Sequence, residues 1–303
     1  MKHVLDANQF TQDKLSSLFS MSQEIERWCR RKKDRVANRD INMFDSEWRY
    51  FRDQPFDHVV ATLFTEPSTR TKSSFETATM KLGGTVLPID FRRSSMEKGE
   101  SFEDTIKTVS QYADLMVIRH HEEGMVARAA EVATVPVING GDGAGEHPTQ
   151  SLIDLYTIHK KFPSIDGLKI LFVGDNEKSR TVNSLRKMLE LYDVDVKLFS
   201  EKDDLEKCMK TCDVLYVTRF QRERWTSAET PPMFAEGDLE TRIDLQKVSW
   251  MKESSIILHP LPRTIELSPS VDQDPRACYW EQVENGVYVR MALLKYVLGH
   301  LDW

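Results

Sequence analysis

Val59-Val60-Ala61-Thr62-Leu63-Phe64-Thr65-Glu66-Pro67-Ser68-Thr69-Arg70-Thr71 reads as an apolar strand that delivers a hydroxyl-rich turn to the start of a helix, whose pattern continues through Phe75, Met80 and Leu82. A strand feeding a helix in this way is the building unit of doubly wound α/β sheets. The junction is also an anion site in the making, because the first N–H groups of a helix lack intrahelical partners and the positive end of its dipole lies there. Ser68, Thr69 and Thr71 add hydroxyl donors, and Arg70 adds a planar fork suited to phosphate. A helix cap accounts for Ser68 alone. Three hydroxyls and an arginine within four residues exceed what a cap needs.

The same order recurs along the chain. Short, nearly all-apolar runs such as Lys169-Ile170-Leu171-Phe172-Val173 and Val214-Leu215-Tyr216-Val217 suit a parallel sheet covered on both faces. Strands are expected at 58–64, 84–89, 115–119, 135–138, 169–174, 194–199, 213–218 and 254–258, with helical patterns between most of them. Thr11 can cap a helix carrying Leu15, Leu18, Phe19, Ile25 and Trp28 on one face and closing in the basic cluster 30–33. Residues 38–57 have no period and read as a loop. A long amphipathic pattern at 147–162 separates two series of strands and sets a domain boundary near residue 147. A final helix at 287–298 is apolar enough to dock on a core. The expected fold class is α/β, doubly wound, in two domains.

With 303 residues, 40% of them apolar and 29% charged, the chain has the make of a globular protein large enough for two domains. A formal net charge of −7 argues against a nucleic-acid surface, so an anion site must be basic locally. The four cysteines, Cys29, Cys208, Cys212 and Cys278, lack the paired spacing of a zinc site and read as reduced thiols. No run of about 18 apolar residues occurs and the first ten residues lack the pattern of a signal peptide, so no membrane partner is expected and a cytoplasmic location is the default.

In open α/β sheets ligands bind at the carboxyl ends of the strands. Arg119 and His120 follow one expected strand, residues 139–150 another, Gly174-Asp175 and Arg180 a third, Arg219 and Gln221 a fourth, and His259 to Arg263 a fifth. Gathering Arg70, Arg119, Arg180, Arg219 and Arg263 in one place costs energy unless anions neutralise them, so the expected ligand carries several negative charges. His147, in His147-Pro148-Thr149-Gln150, and Gln150 one turn on are expected to face that ligand.

These residues carry a resemblance. The chain resembles the aspartate/ornithine carbamoyltransferase family, its aspartate branch in particular. The matching pieces are Ser68-Thr69-Arg70-Thr71, Lys98-Gly99-Glu100, Met116-Val117-Ile118-Arg119-His120, Asn139-Gly140-Gly141-Asp142-Gly143 with His147-Pro148-Thr149-Gln150, Gly174-Asp175 with Arg180-Thr181-Val182, Thr218-Arg219-Phe220-Gln221-Arg222-Glu223-Arg224, and His259-Pro260-Leu261-Pro262-Arg263. They stand in the family's order and span nearly the whole chain.

The resemblance implies a carbamoyl phosphate domain, 1–146 with the returning C-terminal helix in 285–303, and an aspartate domain, 147–284. It implies transfer of the carbamoyl group of carbamoyl phosphate to L-aspartate, giving N-carbamoyl-L-aspartate and phosphate for pyrimidine synthesis, with neither metal nor organic cofactor. Ser68, Thr69, Arg70 and Thr71 would hold the phosphate, and Thr71, Arg119 and His147 would stabilise the growing oxyanion. Gln150 would hold the carbamoyl amino end. Arg180 would take the α-carboxylate of aspartate, and Arg219 with Gln221 its side-chain carboxylate. The backbone at Pro260, Leu261 and Pro262 would complete the pocket, with Arg263 beside it. Lys98 would touch both substrates, and Ser94, with Ser95 as its rival, would bind phosphate from a loop shared across a homotrimer.

The resemblance leaves open regulatory subunits and pathway partner enzymes. The chain departs from the family at Thr65 and Lys72, after Arg263, and over most of 225–250. Two alternatives stand beside it. An ornithine carbamoyltransferase would carry a cysteine in the 259–262 motif, where this chain has Pro260, and its cationic acceptor would not suit Arg180 and Arg219. A non-catalytic phosphate-ligand sensor would need neither Lys98 nor the pair Arg119 and His147.

Overall fold

The computed structural model describes residues 3–38, 56–91, 94–200, 202–221 and 241–299. Its described strands form two four-stranded sheets, with every pairing parallel. The first has the order β2-β1-β3-β4, from Val59–Phe64 (β1), Thr85–Ile89 (β2), Leu115–His120 (β3) and Val137–Asp142 (β4). The second has the order β6-β5-β7-β8, from Lys169–Val173 (β5), Asp195–Leu198 (β6), Val214–Val217 (β7) and Ile256–Leu258 (β8). Central strands are covered on both faces, which is why Val214, Leu215, Tyr216 and Val217 can all be apolar and buried. The edge strand β6 instead alternates exposed Asp195 and Lys197 with half-buried Val196 and Leu198.

Helices return the chain between strands: Gln12–Asn38 (α1), Thr69–Leu82 (α2), Phe102–Val109 (α3), Met125–Val132 (α4), Pro148–Lys161 (α5), Arg180–Leu189 (α6), Leu205–Thr211 (α7), Leu245–Val248 (α8) and Tyr279–Val297 (α9). Two compact units result, Met1–Gly143 with Asn285–Trp303, and Ala144–Glu284. In the first, Leu63, Ile106, Met116, Ile118, Val126 and Val137 form a core between sheet and helices. In the second, Leu171, Met209, Leu215, Val217, Ile257 and Leu267 do the same.

All eight expected strands are present, and three element boundaries differ by more than three residues. α1 does not close in the basic cluster but runs on to Asn38, because nothing in 34–38 breaks a helix. Thr11 does cap it, its hydroxyl accepting from Lys14 N–H at 3.4 Å. β4 runs through Asn139-Gly140-Gly141 to Asp142, where sequence alone ended it at 138. Val4 pairs with Ile138 on its outer side, and Asn139 Nδ2 donates to the Leu5 carbonyl at 2.9 Å. The last helix starts at Tyr279, eight residues before the expected 287. The loop expected at 38–57 lies, for residues 39–55, outside the described residues. Cys29, Cys208, Cys212 and Cys278 form no disulfide among the described residues.

Candidate active site

In the first unit the turn expected to cradle an anion stands at the carboxyl edge of the sheet. β1 ends at Phe64 beside Arg119 of β3, and Thr65 N–H donates to the Arg119 carbonyl at 3.0 Å. The chain then turns through Glu66-Pro67-Ser68 into Thr69, Arg70 and Thr71, the first residues of α2. Ser68 holds the cap position, yet its side chain makes no capping hydrogen bond. The cap reading therefore does not account for Ser68, and the helix start keeps the geometry of an anion site. Arg119 forms the wall: its Nε lies 2.7 Å from Glu66 Oε1, and its Nη1 donates to the Gly140 carbonyl at 3.4 Å. Gly140 lets the strands approach closely there, a Cβ lying 3.3 Å from the Ile118 carbonyl oxygen.

The backbone of the cradle is held from below. Ser74 Oγ donates to the Arg70 carbonyl at 2.5 Å and lies 3.1 Å from that of Thr71. The same oxygen accepts from Arg290 Nη1 at 2.6 Å. Arg290 is buried, with its guanidinium 4.9 Å from the centre of the Phe75 ring. Ser94 and Lys98 bracket a 3₁₀ turn, Ser95–Lys98, after β2. Ser94 Oγ donates to the Phe91 carbonyl at 2.9 Å and accepts from Met96 N–H at 3.3 Å, so its one proton is committed within the loop. Ser95 and Lys98 are exposed.

In the second unit the loops after β5, β7 and β8 stand side by side because those strands are neighbours. Gly174, at φ 118°, ends β5 against β7. A Cβ there would lie 2.0 Å from the Thr218 carbonyl oxygen, so only glycine fits. Asp175, buried, then ties two loops together. Its Oδ1 accepts from Lys178 N–H at 2.9 Å and its Oδ2 from Gln221 N–H at 3.0 Å. Buried Arg180 opens α6, while Arg219 and Gln221 follow β7. The segment after Gln221, including Arg222, Glu223 and Arg224 of the motif, lies outside the described residues.

His147 sits at the cap position of α5 with no capping bond from its side chain. Its N–H donates to Ser184 Oγ at 2.9 Å, and Ser184 in turn donates to Glu146 at 2.5 Å. Lys187 also pairs with Glu146. Gln150, one turn along, donates through Nε2 to Asp154 Oδ1 at 2.7 Å.

The 259–263 loop is built round His259. Leu261 N–H donates to Nδ1 at 2.7 Å, so Nε2 carries the ring proton and donates to Glu266 Oε1 at 2.8 Å. The bond to Leu261 helps hold that residue at φ 55°, in the left-handed region that a branched side chain avoids. A cis peptide joins Leu261 to Pro262. Burial alone would raise the Glu266 carboxyl, but hydrogen bonds from His259 and Thr264 bring it down to about 2. A carboxylate depressed in this way stabilises the fold above its unfolded pKa near 4.3, and the stabilisation fades as pH falls from there to about 2. Glu266→Gln is expected to lose about 1–3 kcal/mol at pH 7 and to flatten the acid limb of stability, as urea titrations at pH 7 and pH 3 will show.

Arg263 departs from the sequence expectation. Its guanidinium forks onto Asp272, with Nη2 to Oδ2 at 2.7 Å, and lies 5.7 Å from the centres of the Tyr279 and Trp280 rings. Asp272, pulled down to about 2 chiefly by that arginine, neutralises it. Arg263 braces the loop and is not a spare positive charge for a ligand. Among the described residues no cluster of three or more His, Cys, Asp or Glu side chains is placed to hold a metal ion.

Residues 2–160 match the family model for the carbamoyl-P binding domain of aspartate/ornithine carbamoyltransferase, and residues 200–297 match that for its Asp/Orn binding domain. The chain belongs to the aspartate/ornithine carbamoyltransferase family. It is 48% identical over 267 residues to an aspartate carbamoyltransferase catalytic subunit of Thermococcus onnurineus, covering 80% of this chain and 85% of that protein. It is 39% identical over 320 residues to a chloroplastic aspartate carbamoyltransferase of Oryza sativa, covering 97% and 84%. Its fold superposes on aspartate transcarbamoylase from Trypanosoma cruzi in complex with carbamoyl phosphate with a TM-score of 0.83, at 33% identity, covering 97% of this chain and 94% of that one. The same enzyme in complex with carbamoyl phosphate and aspartate gives 0.82 at 32% identity.

Sequence reasoning passed over several residues that brace these loops within each unit. Asp175 stood in a quoted motif without a role. Asp154 lay four residues after Gln150 on an expected helix, a spacing that places two side chains on one face. Ser74, Arg290 and Gln282, which accepts from His259 N–H at 3.0 Å, left no such signal, since their partners are distant in sequence or look like ordinary helix positions. No described helix is long and apolar enough to cross a membrane.

Proposed function

We infer that this chain is an aspartate carbamoyltransferase: it moves the carbamoyl group of carbamoyl phosphate onto the amino group of L-aspartate, releasing phosphate and N-carbamoyl-L-aspartate. The observation that carries the choice of acceptor is the carboxyl edge of the second sheet. Arg180 and Arg219, in loops joined by Asp175 and Gln221, suit an acceptor with two carboxylates. A cationic acceptor such as ornithine would meet like charge there. A colorimetric assay with aspartate and ornithine side by side tests this. Carbamoyl-aspartate alone should form, and equal or greater product from ornithine would refute the reading.

The roles of the residues are those that the resemblance to the family implies. Ser68, Thr69, Arg70 and Thr71, with Lys98 and with Ser95 in place of Ser94, whose proton is committed, hold the phosphate. Thr71, Arg119 and His147 stabilise the carbonyl oxygen as charge grows on it, and Gln150, Leu261 and Pro262 receive the carbamoyl end. Arg180 binds the α-carboxylate, with Leu261 and Lys98 near it, and Arg219 with Gln221 binds the side-chain carboxylate. The unprotonated amine attacks the carbonyl carbon, the tetrahedral oxyanion collapses, and phosphate departs with the C–O electron pair. Departing phosphate, with a second pKa near 6, can accept the amine proton.

The exposed Lys98 supports a shared site, in which its loop enters the neighbouring subunit of a homotrimer. Regulatory subunits and pathway enzymes are further partners that this reading admits, and the four cysteines, none in a disulfide, fit a cytoplasmic setting. Arg219→Ala should raise the half-saturating aspartate concentration by about 10- to 100-fold while the Kd for carbamoyl phosphate stays within about twofold. Steady-state kinetics with calorimetric titration measure both, and equal weakening of the two would refute this division of labour.

A further inference from the structure

Asp154 is fully buried in α5, and among its partners are the side chains of Gln150, Gln282 and Tyr216, each donating to its carboxylate. Its Oδ1 takes Gln150 Nε2 at 2.7 Å and Gln282 Nε2 at 2.6 Å, and its Oδ2 takes the Tyr216 hydroxyl at 2.7 Å. Each donor is fixed by its chemistry. Gln282 Oε1 already accepts from His259 N–H at 3.0 Å, so only its amide nitrogen can face Asp154. Burial, then the charge of Asp154, pushes the Tyr216 phenol well above its ordinary pKa and keeps it a donor. An ionised carboxylate is an acceptor only, so Gln150 must also present its NH₂ to it. Gln150 is half-buried, and once its nitrogen is committed inward, its Oε1 is the end left for a ligand.

We propose that Asp154 is a positioning residue that sets the Gln150 amide, and thereby the enzyme's selection of a carbamoyl group over an acyl group of the same shape. The inference rests on the carbamoyltransferase reading. An acceptor oxygen at Gln150 rewards a substrate NH₂ and gives nothing to a methyl group. Were the amide reversed, its own NH₂ would face the substrate NH₂, donor against donor. The same carboxylate steadies the 259–263 loop through Gln282 and the His259 backbone, so both elements are fixed by one buried charge.

The test compares carbamoyl phosphate with acetyl phosphate, which carries CH₃ in place of NH₂. Preference is the inhibition constant of acetyl phosphate divided by the Michaelis constant of carbamoyl phosphate. Asp154→Leu removes the acceptor at similar size, and the preference should fall by about 10- to 100-fold, with acetyl phosphate binding changed much less. Asp154→Asn keeps an acceptor oxygen for both glutamines, and its amide can donate to the Tyr216 oxygen. Its preference should stay within about threefold of the unsubstituted enzyme.

Should Asp154→Leu not fold, Gln150→Glu decides. Two carboxyls at this distance share a proton, so the introduced carboxyl would donate to Asp154 and still offer an oxygen outward. The activity of this variant should then fall with rising pH across a range where the unsubstituted enzyme is flat. Equal loss of both ligands in Asp154→Leu, or no new pH limb in Gln150→Glu, overturns the inference. An unsubstituted enzyme inactive with carbamoyl phosphate and aspartate would instead overturn the reading on which it rests.

Discussion

Arg70→Ala loses about a hundredfold or more of its turnover, with its melting temperature within about 2 °C of the unsubstituted protein. One charge-assisted hydrogen bond is worth about 1.5–3 kcal/mol, and each 1.36 kcal/mol is about tenfold in rate. The loss falls on chemistry because the backbone of the cradle is held at the Arg70 carbonyl, which any residue at position 70 supplies. The Arg70 carbonyl is held by Ser74 at 2.5 Å, and Ser74 by Arg290 at 2.6 Å, whatever stands at position 70. Stopped assays with saturating carbamoyl phosphate, beside a thermal melt, give both quantities. Near-normal turnover would refute the phosphate role of Arg70.

Two inactive variants recover activity when mixed. Arg70→Ala and Lys98→Ala subunits, dissociated and re-formed together at equal amounts, should regain about a quarter of unsubstituted activity if the site is shared round a cyclic trimer. A site works only where a subunit with Arg70 is followed by one with Lys98. Every mixed trimer contains one such junction among its three, and mixed trimers make up about three quarters of a random population. The exposed position of Lys98, on the turn after an edge strand, motivates the experiment. A mixture as inactive as its parents, with exchange proven by a mass-tagged subunit, would place Lys98 in its own chain's site or in none.

The strands were legible because burial on both faces leaves a parallel sheet only one composition to use. Lys169–Val173 and Val214–Val217 read as strands for that reason, and their carboxyl ends pointed to Arg180, Arg219 and Gln221. Boundaries were less legible where a strand leaves apolar composition behind. β4 continues through two glycines to pair Asp142 with His120 of β3, while Val4 and Leu5, far away in the chain, bond to its residues 137–139. No local pattern announces such a partner.

By itself the sequence determined the fold class, the hydroxyl-rich turn at Ser68–Thr71 and the arginines at the strand ends, since each is a matter of residue type in a local pattern. Only the tertiary structure decided which of those groups has a counter-charge and which way each one faces. Arg263 looked like a ligand arginine until Asp272 lay against it, and Ser94 looked like a phosphate donor until its proton was directed to Phe91. Gln150 showed an amide of no fixed orientation until Asp154, Gln282 and Tyr216 closed round one buried carboxylate. The physical reason is common to all three. A hydrogen bond or ion pair depends on donor and acceptor meeting at about 3 Å, and chain folding brings together residues whose separation in sequence carries no trace of that meeting.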